Sequence, residues 1–212
     1  MKIKNSLALL LFSLQVACCN ASSIEWFDAP LLARIKSDAP YKLPPLSYQN
    51  GTSVDTCAGY LENSEHSDLV ESPVNFSNRA RYLICDARSV YLTGQGSVKL
   101  ADAKAVHQIA NDLCKKLDLS SFPNSFRQTI DSSPEVMSKL FRNKQQMDKN
   151  SCVYRDHGRN FVLSAIALES RPQAQSRLLI WLTDEILDGT YRAYQPIWFT
   201  KSKLTGMWVK AK

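Results

Sequence analysis

Cys57, Cys85, Cys114 and Cys152 are the residues of this chain best placed to do covalent chemistry. No two of them form a Cys-x-x-Cys pair and no histidine stands near any two, so their spacing argues against a zinc site. An even number of cysteines in an exported chain reads as two disulfides made in an oxidising compartment. Several pairings are open, and sequence-near closure favours Cys57 with Cys85 and Cys114 with Cys152. Cys18 and Cys19 are different in kind, because they lie at the end of an N-terminal apolar run, where a bacterial lipoprotein would carry its lipid.

Ionisable side chains offer little beyond this. The three histidines, His66, His107 and His157, do not pair at metal-ligand spacing. Glu62, Glu65, Asp68 and Glu71 surround His66, a grouping that suits acid/base work or cation binding when register brings the carboxylates together. Here they are scattered through a polar connection, which favours a solvated acidic surface able to steer a basic partner. Asp156 beside His157 could orient an imidazole, but the pair falls in a glycine-containing turn. Glu169, Asp184, Glu185 and Asp188 are the carboxylates from which a two-carboxylate hydrolase would draw its pair. No Gly-x-Ser-x-Gly, His-Glu-x-x-His or phosphate-loop pattern occurs, and Gly94-Gln-Gly96 reads as a turn. The reading therefore calls for no cofactor and no metal.

The elements that must carry these residues begin with the ends of the chain. Lys2 and Lys4 precede an uncharged run from Leu7 to Ala17, the arrangement of a secretory signal peptide. That run is too short for a transmembrane helix, which needs about 20 apolar residues. Cleavage near Ala21 is one processing route; lipidation at Cys18 or Cys19 is the other, although neither cysteine is preceded by a good lipobox. Without Lys2 and Lys4 the formal charge of +6 falls to +4. Lys201, Lys203, Lys210 and Lys212 make a basic tail that could touch anionic lipid, or simply keep an edge strand soluble. Asn50-Gly-Thr and Asn75-Phe-Ser match the glycosylation triplet of a eukaryotic secreted protein.

The region from Cys152 onward organises the rest. Its apolar, β-branched and aromatic runs at Cys152–Arg155, Asn160–Leu168, Arg177–Thr183 and Tyr191–Phe199 predict an antiparallel meander, with Met207–Val209 as a closing strand. Three of the four tryptophans lie there. A helix is expected over Ala101–Leu119, where apolar residues recur at three and four, and a second from Ser133, where Ser-Pro-Glu makes a capped start. Arg81–Cys85 and Ser89–Thr93 look like short strands. The proline-containing stretch over residues 22–47 is expected to run as an extended arm across the surface.

The sequence thus predicts an α+β fold, in which a C-terminal antiparallel β-meander packs against about two α-helices and is stabilised by disulfides. Residues 1–21 form the signal, 22–47 the arm and 48–212 a single domain. The compartment disfavours nucleic acid as a partner. Size, compartment and missing catalytic motifs point to a non-enzymatic, protein-binding chain of the bacterial envelope, periplasmic, secreted or lipid-anchored: an immunity or inhibitor protein, or an accessory subunit of an envelope machine. The alternative is a hydrolase acting on an envelope polymer through a carboxylate pair. No family motif is present.

Overall fold

The computed structural model describes residues 22–37, 42–94, 97–126, 145–155, 157–171 and 174–211. Cys18 and Cys19, the expected Ser133 helix, Asp156 and Lys212 lie outside them. The first described elements are strand β1 (Ser23–Trp26) and helix α1 (Ala29–Lys36). A short hairpin follows, β2 (Leu46–Ser47) with β3 (Ser53–Val54), then helices α2 (Cys57–Ser64) and α3 (Pro73–Thr93). Strand β4 (Ser97–Leu100) leads into helix α4 (Ala103–Lys116) and a single 3₁₀ turn, Leu119–Ser121. The remaining strands are β5 (Gln145–Asp148), β6 (Ser151–Arg155), β7 (Arg159–Ser170), β8 (Arg177–Ile186), β9 (Arg192–Lys201) and β10 (Trp208–Lys210).

One sheet runs in the order β10-β9-β8-β7-β1-β4, and β6 with β5 branches from β7. Strand β7 is long enough to hold two neighbours on one edge. Its first half pairs with β6, from Asn160 to Ser164, and its last residues pair with β1, from Ala167 to Ser170. Asn150 fills the junction, accepting a hydrogen bond from the Ala165 amide at its own carbonyl and donating from Nδ2 to the Ala165 carbonyl. A β-bulge at this point, between Ala165 and Ala167, shifts the register. All pairs in this sheet are antiparallel except β1 with β4.

Strand alternation divides the core into two layers. Leu178, Ile180 and Leu182 of β8 face one side with Phe161, Leu163, Phe199 and α4, which contributes Leu113 and Cys114. Leu179 and Trp181 face the other with Trp26, α1 and α3. Each layer carries one disulfide: Cys57–Cys85 ties α2 to α3, and Cys114–Cys152 ties α4 to β6. The loops they close, 28 and 38 residues apart in sequence, would each stabilise the fold by about 4 kcal/mol on chain-entropy grounds.

The α+β reading and the meander hold, with four helices rather than about two among the described residues. Two expectations are corrected. Arg81–Cys85 and Ser89–Thr93 are not strands but parts of α3, started by Ser72, whose side chain accepts from the Asn75 amide, and by Pro73 in the first turn. The stretch beginning at residue 22 is not a surface arm: β1 lies inside the sheet with Trp26 fully buried, and Asp28 caps α1 at the Leu31 amide. Pro30 stands in the first turn of that helix.

Candidate functional site

Alternation along β9 sends Arg192, Tyr194, Pro196 and Trp198 to the face of the sheet that α3 crosses. From α3, Phe76, Arg79 and Asp86 project at helical spacing towards the same seam. Three depressions follow it. The largest, about 510 Å³, is walled by Tyr48, Tyr60, Phe76, Arg79, Arg192 and Tyr194. A smaller one of about 170 Å³ lies over Pro196 and Trp198 beside Asp86 and Leu61. The third, about 440 Å³, shares Val90 and Trp198 with it and reaches Glu169, Arg171 and Arg177.

A buried network holds the largest cleft in shape. The Tyr60 hydroxyl donates to Asp86 Oδ1 at 3.1 Å, and both Nη atoms of Arg79 donate to Asp86 Oδ2 at 3.3 Å. The Arg79 guanidinium also lies 4.8 Å from the Tyr60 ring centre, while Tyr60 and Tyr82 rings pack at 5.1 Å. Tyr82 anchors this stack by donating to the Pro44 and Val54 carbonyls. Burial raises the Asp86 carboxyl above its ordinary range, with Arg79 and Tyr60 pulling the other way. Burial also raises the Tyr60 hydroxyl, so Tyr60 is a neutral donor at physiological pH.

The opposite wall is organised by Glu185. Its Oε1 accepts from the Tyr194 hydroxyl and its Oε2 from Asn160 Nδ2 at 2.5 Å. Burial together with the Glu185 carboxylate pushes Tyr194 up to about 12. Glu185 and Arg192 are cross-strand partners, yet the Arg192 guanidinium makes no hydrogen bond or ion pair with it. Arg192 Nε is buried without a partner.

Of the residues singled out by sequence, Glu62, Glu65, Asp68 and Glu71 are all exposed, on α2 or in its connection to α3. They form an acidic rim beside the cleft, and Asp68 alone lines it. His66, His107 and His157 are exposed and apart from the cleft. Among the described residues no cluster of His, Cys, Asp or Glu could hold a metal ion. Asn75 is buried, and its side chain bonds to Ser47 and Val70, so the acceptor of that glycosylation triplet is part of the core; Asn50 is exposed. Lys201 of the basic tail is engaged, bonding Asp112 at 2.6 Å over the Trp208 ring.

The four carboxylates considered for hydrolysis do not converge. Glu169 accepts from Arg171 and Arg177 at one end of β8. Asp184 is seven residues further along that strand, about 23 Å at strand rise, far beyond the roughly 5–10 Å of a glycosidase pair. Asp184 is fully buried, accepting from the Ser125 amide and hydroxyl. Glu185 points to the opposite face, and Asp188 is exposed in the following turn.

The cleft residues were not evident from sequence, since Tyr48, Tyr60 and Arg79 lie in segments far from β9, which carries Arg192 and Tyr194. The one local signal was the seven-residue spacing of Arg79 and Asp86, two helical turns, which becomes meaningful only once α3 is known. No protein family, curated protein or solved structure matches this chain.

Proposed function

We propose that this chain is an exported binding protein of the bacterial cell envelope, which holds another protein non-enzymatically at the α3–β9 cleft and its acidic rim. The observation that carries the reading is the largest cleft. It is an open, aromatic-walled depression of about 510 Å³ on a body cross-linked in both core layers. Tyrosine and arginine are the side chains that anchor protein interfaces most strongly, because each combines a large apolar contact with fixed hydrogen-bonding groups. The disulfide between α2 and α3 fixes the wall bearing Tyr60 relative to the wall bearing Arg79, so little ordering cost is left for binding. Glu62, Glu65 and Glu71 on the rim would speed encounter with a partner that has basic residues around its contact.

Export is supported by the two disulfides, which suit a non-cytoplasmic compartment, and by the signal-like Lys2-to-Ala17 segment. Among the described residues no helix is long and apolar enough to cross a membrane. Lipid attachment at Cys18 or Cys19 remains the alternative to free release after cleavage near Ala21.

A photo-crosslinking residue placed at Ser64, an exposed residue of the cleft wall, tests the binding reading, with one placed at exposed Lys104, on the helix covering the opposite face, as control. In the native envelope the expected result is one dominant crosslinked protein from the Ser64 position and none from Lys104. Identical crosslinking at both positions, or none at either, would sink the reading.

A further inference from the structure

Arg192 is a half-buried cation with no hydrogen-bonded anion. Its guanidinium stays charged at any accessible pH. It makes no hydrogen bond or ion pair in the structure, and its Nε is sealed from solvent. The acidic side chain opposite it in the ladder, Glu185, is already occupied by Tyr194 and Asn160. The other guanidinium of the cleft is balanced, since Arg79 is held by Asp86. Asp68 lines the mouth, but its side chain is exposed and water and salt screen it. The Arg192 guanidinium thus lines an aromatic-walled cleft with no hydrogen-bonded anion of its own.

We infer that the cleft binds a peptide segment by seating one carboxylate, from a side chain or a chain end, on the Arg192 guanidinium. The two Nη groups are unbonded and open to solvent, and a carboxylate matches two adjacent N–H groups of a guanidinium in one plane. A monoanion fits better than a phosphate. Asp68, Asp86 and Glu185 lie close by, so a doubly charged group would meet more repulsion than a monoanion. The rings of Tyr48, Phe76 and Tyr194 supply walls for an apolar or aromatic neighbour of that carboxylate. The inference rests on the binding reading above and names the group that is recognised.

The probe is hippurate, a carboxylate carried on an aromatic amide, titrated into the full chain while the Arg192 side-chain Nε–H and the Tyr194 backbone amide are followed by NMR. Hippuramide, its neutral amide, and phenyl phosphate serve as comparison arms. Hippurate should give saturable shifts at both positions, with affinity at least about tenfold above hippuramide, the size of one charge-assisted hydrogen bond. Arg192→Gln should abolish that preference. Arg192→Lys, which keeps the charge but loses the planar fork, should weaken hippurate while retaining part of the preference, and it stands in should the glutamine variant not fold. Asp68→Asn should strengthen binding. Equal affinity for hippurate and hippuramide, an unaltered preference in both Arg192 variants, or tenfold tighter binding of phenyl phosphate would overturn the inference. Hippurate binding at Arg192 without protein crosslinked at Ser64 would retire the protein-binding reading alone; crosslinking that is indifferent to Arg192→Gln would retire the carboxylate site alone.

Discussion

Arg192 and Glu185 face each other across the β8–β9 ladder and make no ion pair, while the two oxygens of Glu185 accept from Tyr194 and Asn160. A directly opposed Arg and Glu would ordinarily meet as a favourable cross-strand pair. Here a tyrosine hydroxyl two residues along the same strand takes the carboxylate instead. The consequence is a cation held ready in the cleft, whose availability depends on a neutral hydrogen bond.

Tyr194→Phe should therefore close the cleft to anions. Without the hydroxyl, Glu185 Oε1 loses its partner and the nearest cation is Arg192, so the ion pair forms. Hippurate affinity is expected to fall about tenfold, in line with the loss of one charge-assisted hydrogen bond. The Arg192 Nε–H resonance of the unliganded variant should move towards a bonded position. An unchanged resonance and unchanged affinity would mean that Glu185 is held by Asn160 alone.

The two disulfides should contribute comparably despite lying in different layers. Replacing Cys57 and Cys85 together, or Cys114 and Cys152 together, by serine should cost about 4 kcal/mol in either case, from the loop-closure entropy of the unfolded chain. Chemical denaturation of the two variants measures this. Alkylation of the native protein before reduction should label none of the four cysteines, and two or more labelled thiols would contradict the cross-linked core.

Asn75 holds the entry to α3 together. Its Oδ1 accepts from the Ser47 amide, and its Nδ2 donates to the carbonyls of Ser47 and Val70 at 2.8 and 2.7 Å. Asn75→Ala removes three hydrogen bonds to the backbone of Ser47 and Val70, each a net contribution of roughly 0.5–1.5 kcal/mol, and should lower the melting temperature more than Asn50→Ala, whose side chain is exposed. Expression in a glycosylating host should add no glycan at Asn75. A glycan there would require that the α3 entry open before or during folding.

What was readable in the chain follows how local each signal is. The meander was legible because each strand carries its own run of β-branched and aromatic residues between turn residues, and α4 because Asp102 caps it and its apolar residues recur within one segment. Helix α3 was misread because Arg81–Cys85 and Ser89–Thr93 are rich in residues that favour strands. A five-residue window is too short to show the helical period, and the deciding signal, Ser72-Pro73, stands upstream of both. Asp28 and Pro30 gave the same signal for α1, where prolines further on drew the reading towards an extended arm. The cleft was illegible for a different reason. Glu185 accepts from Tyr194 and Asn160 while Arg192 stands opposite it unbonded, a relationship spread over three strands that no spacing in the sequence encodes.

Asp184 links the loop before residue 127 to the sheet, and its titration gives the fold a pH dependence of definite sign. Its carboxylate accepts from the Ser125 amide and hydroxyl, both at 2.6 Å, and from the Tyr191 hydroxyl at 3.3 Å. Burial raises its pKa; the Ser125 and Tyr191 hydrogen bonds and the charge of Arg159 oppose that without overcoming it. The native state thus takes up a proton more readily than the unfolded chain, where the pKa is about 3.9. Stability contributed by the protonated group is fully present below that value and is lost as pH rises through the native pKa. Asp184→Asn cannot ionise, and its amide is poorly matched to three donors, so it should be the less stable protein. Its deficit relative to the unmodified chain should be largest near pH 4 and shrink towards pH 7. Denaturant unfolding of both proteins across that interval decides the matter: a deficit that grows with pH would mean that Ser125, Tyr191 and Arg159 hold Asp184 ionised in the core, against the cost of its burial.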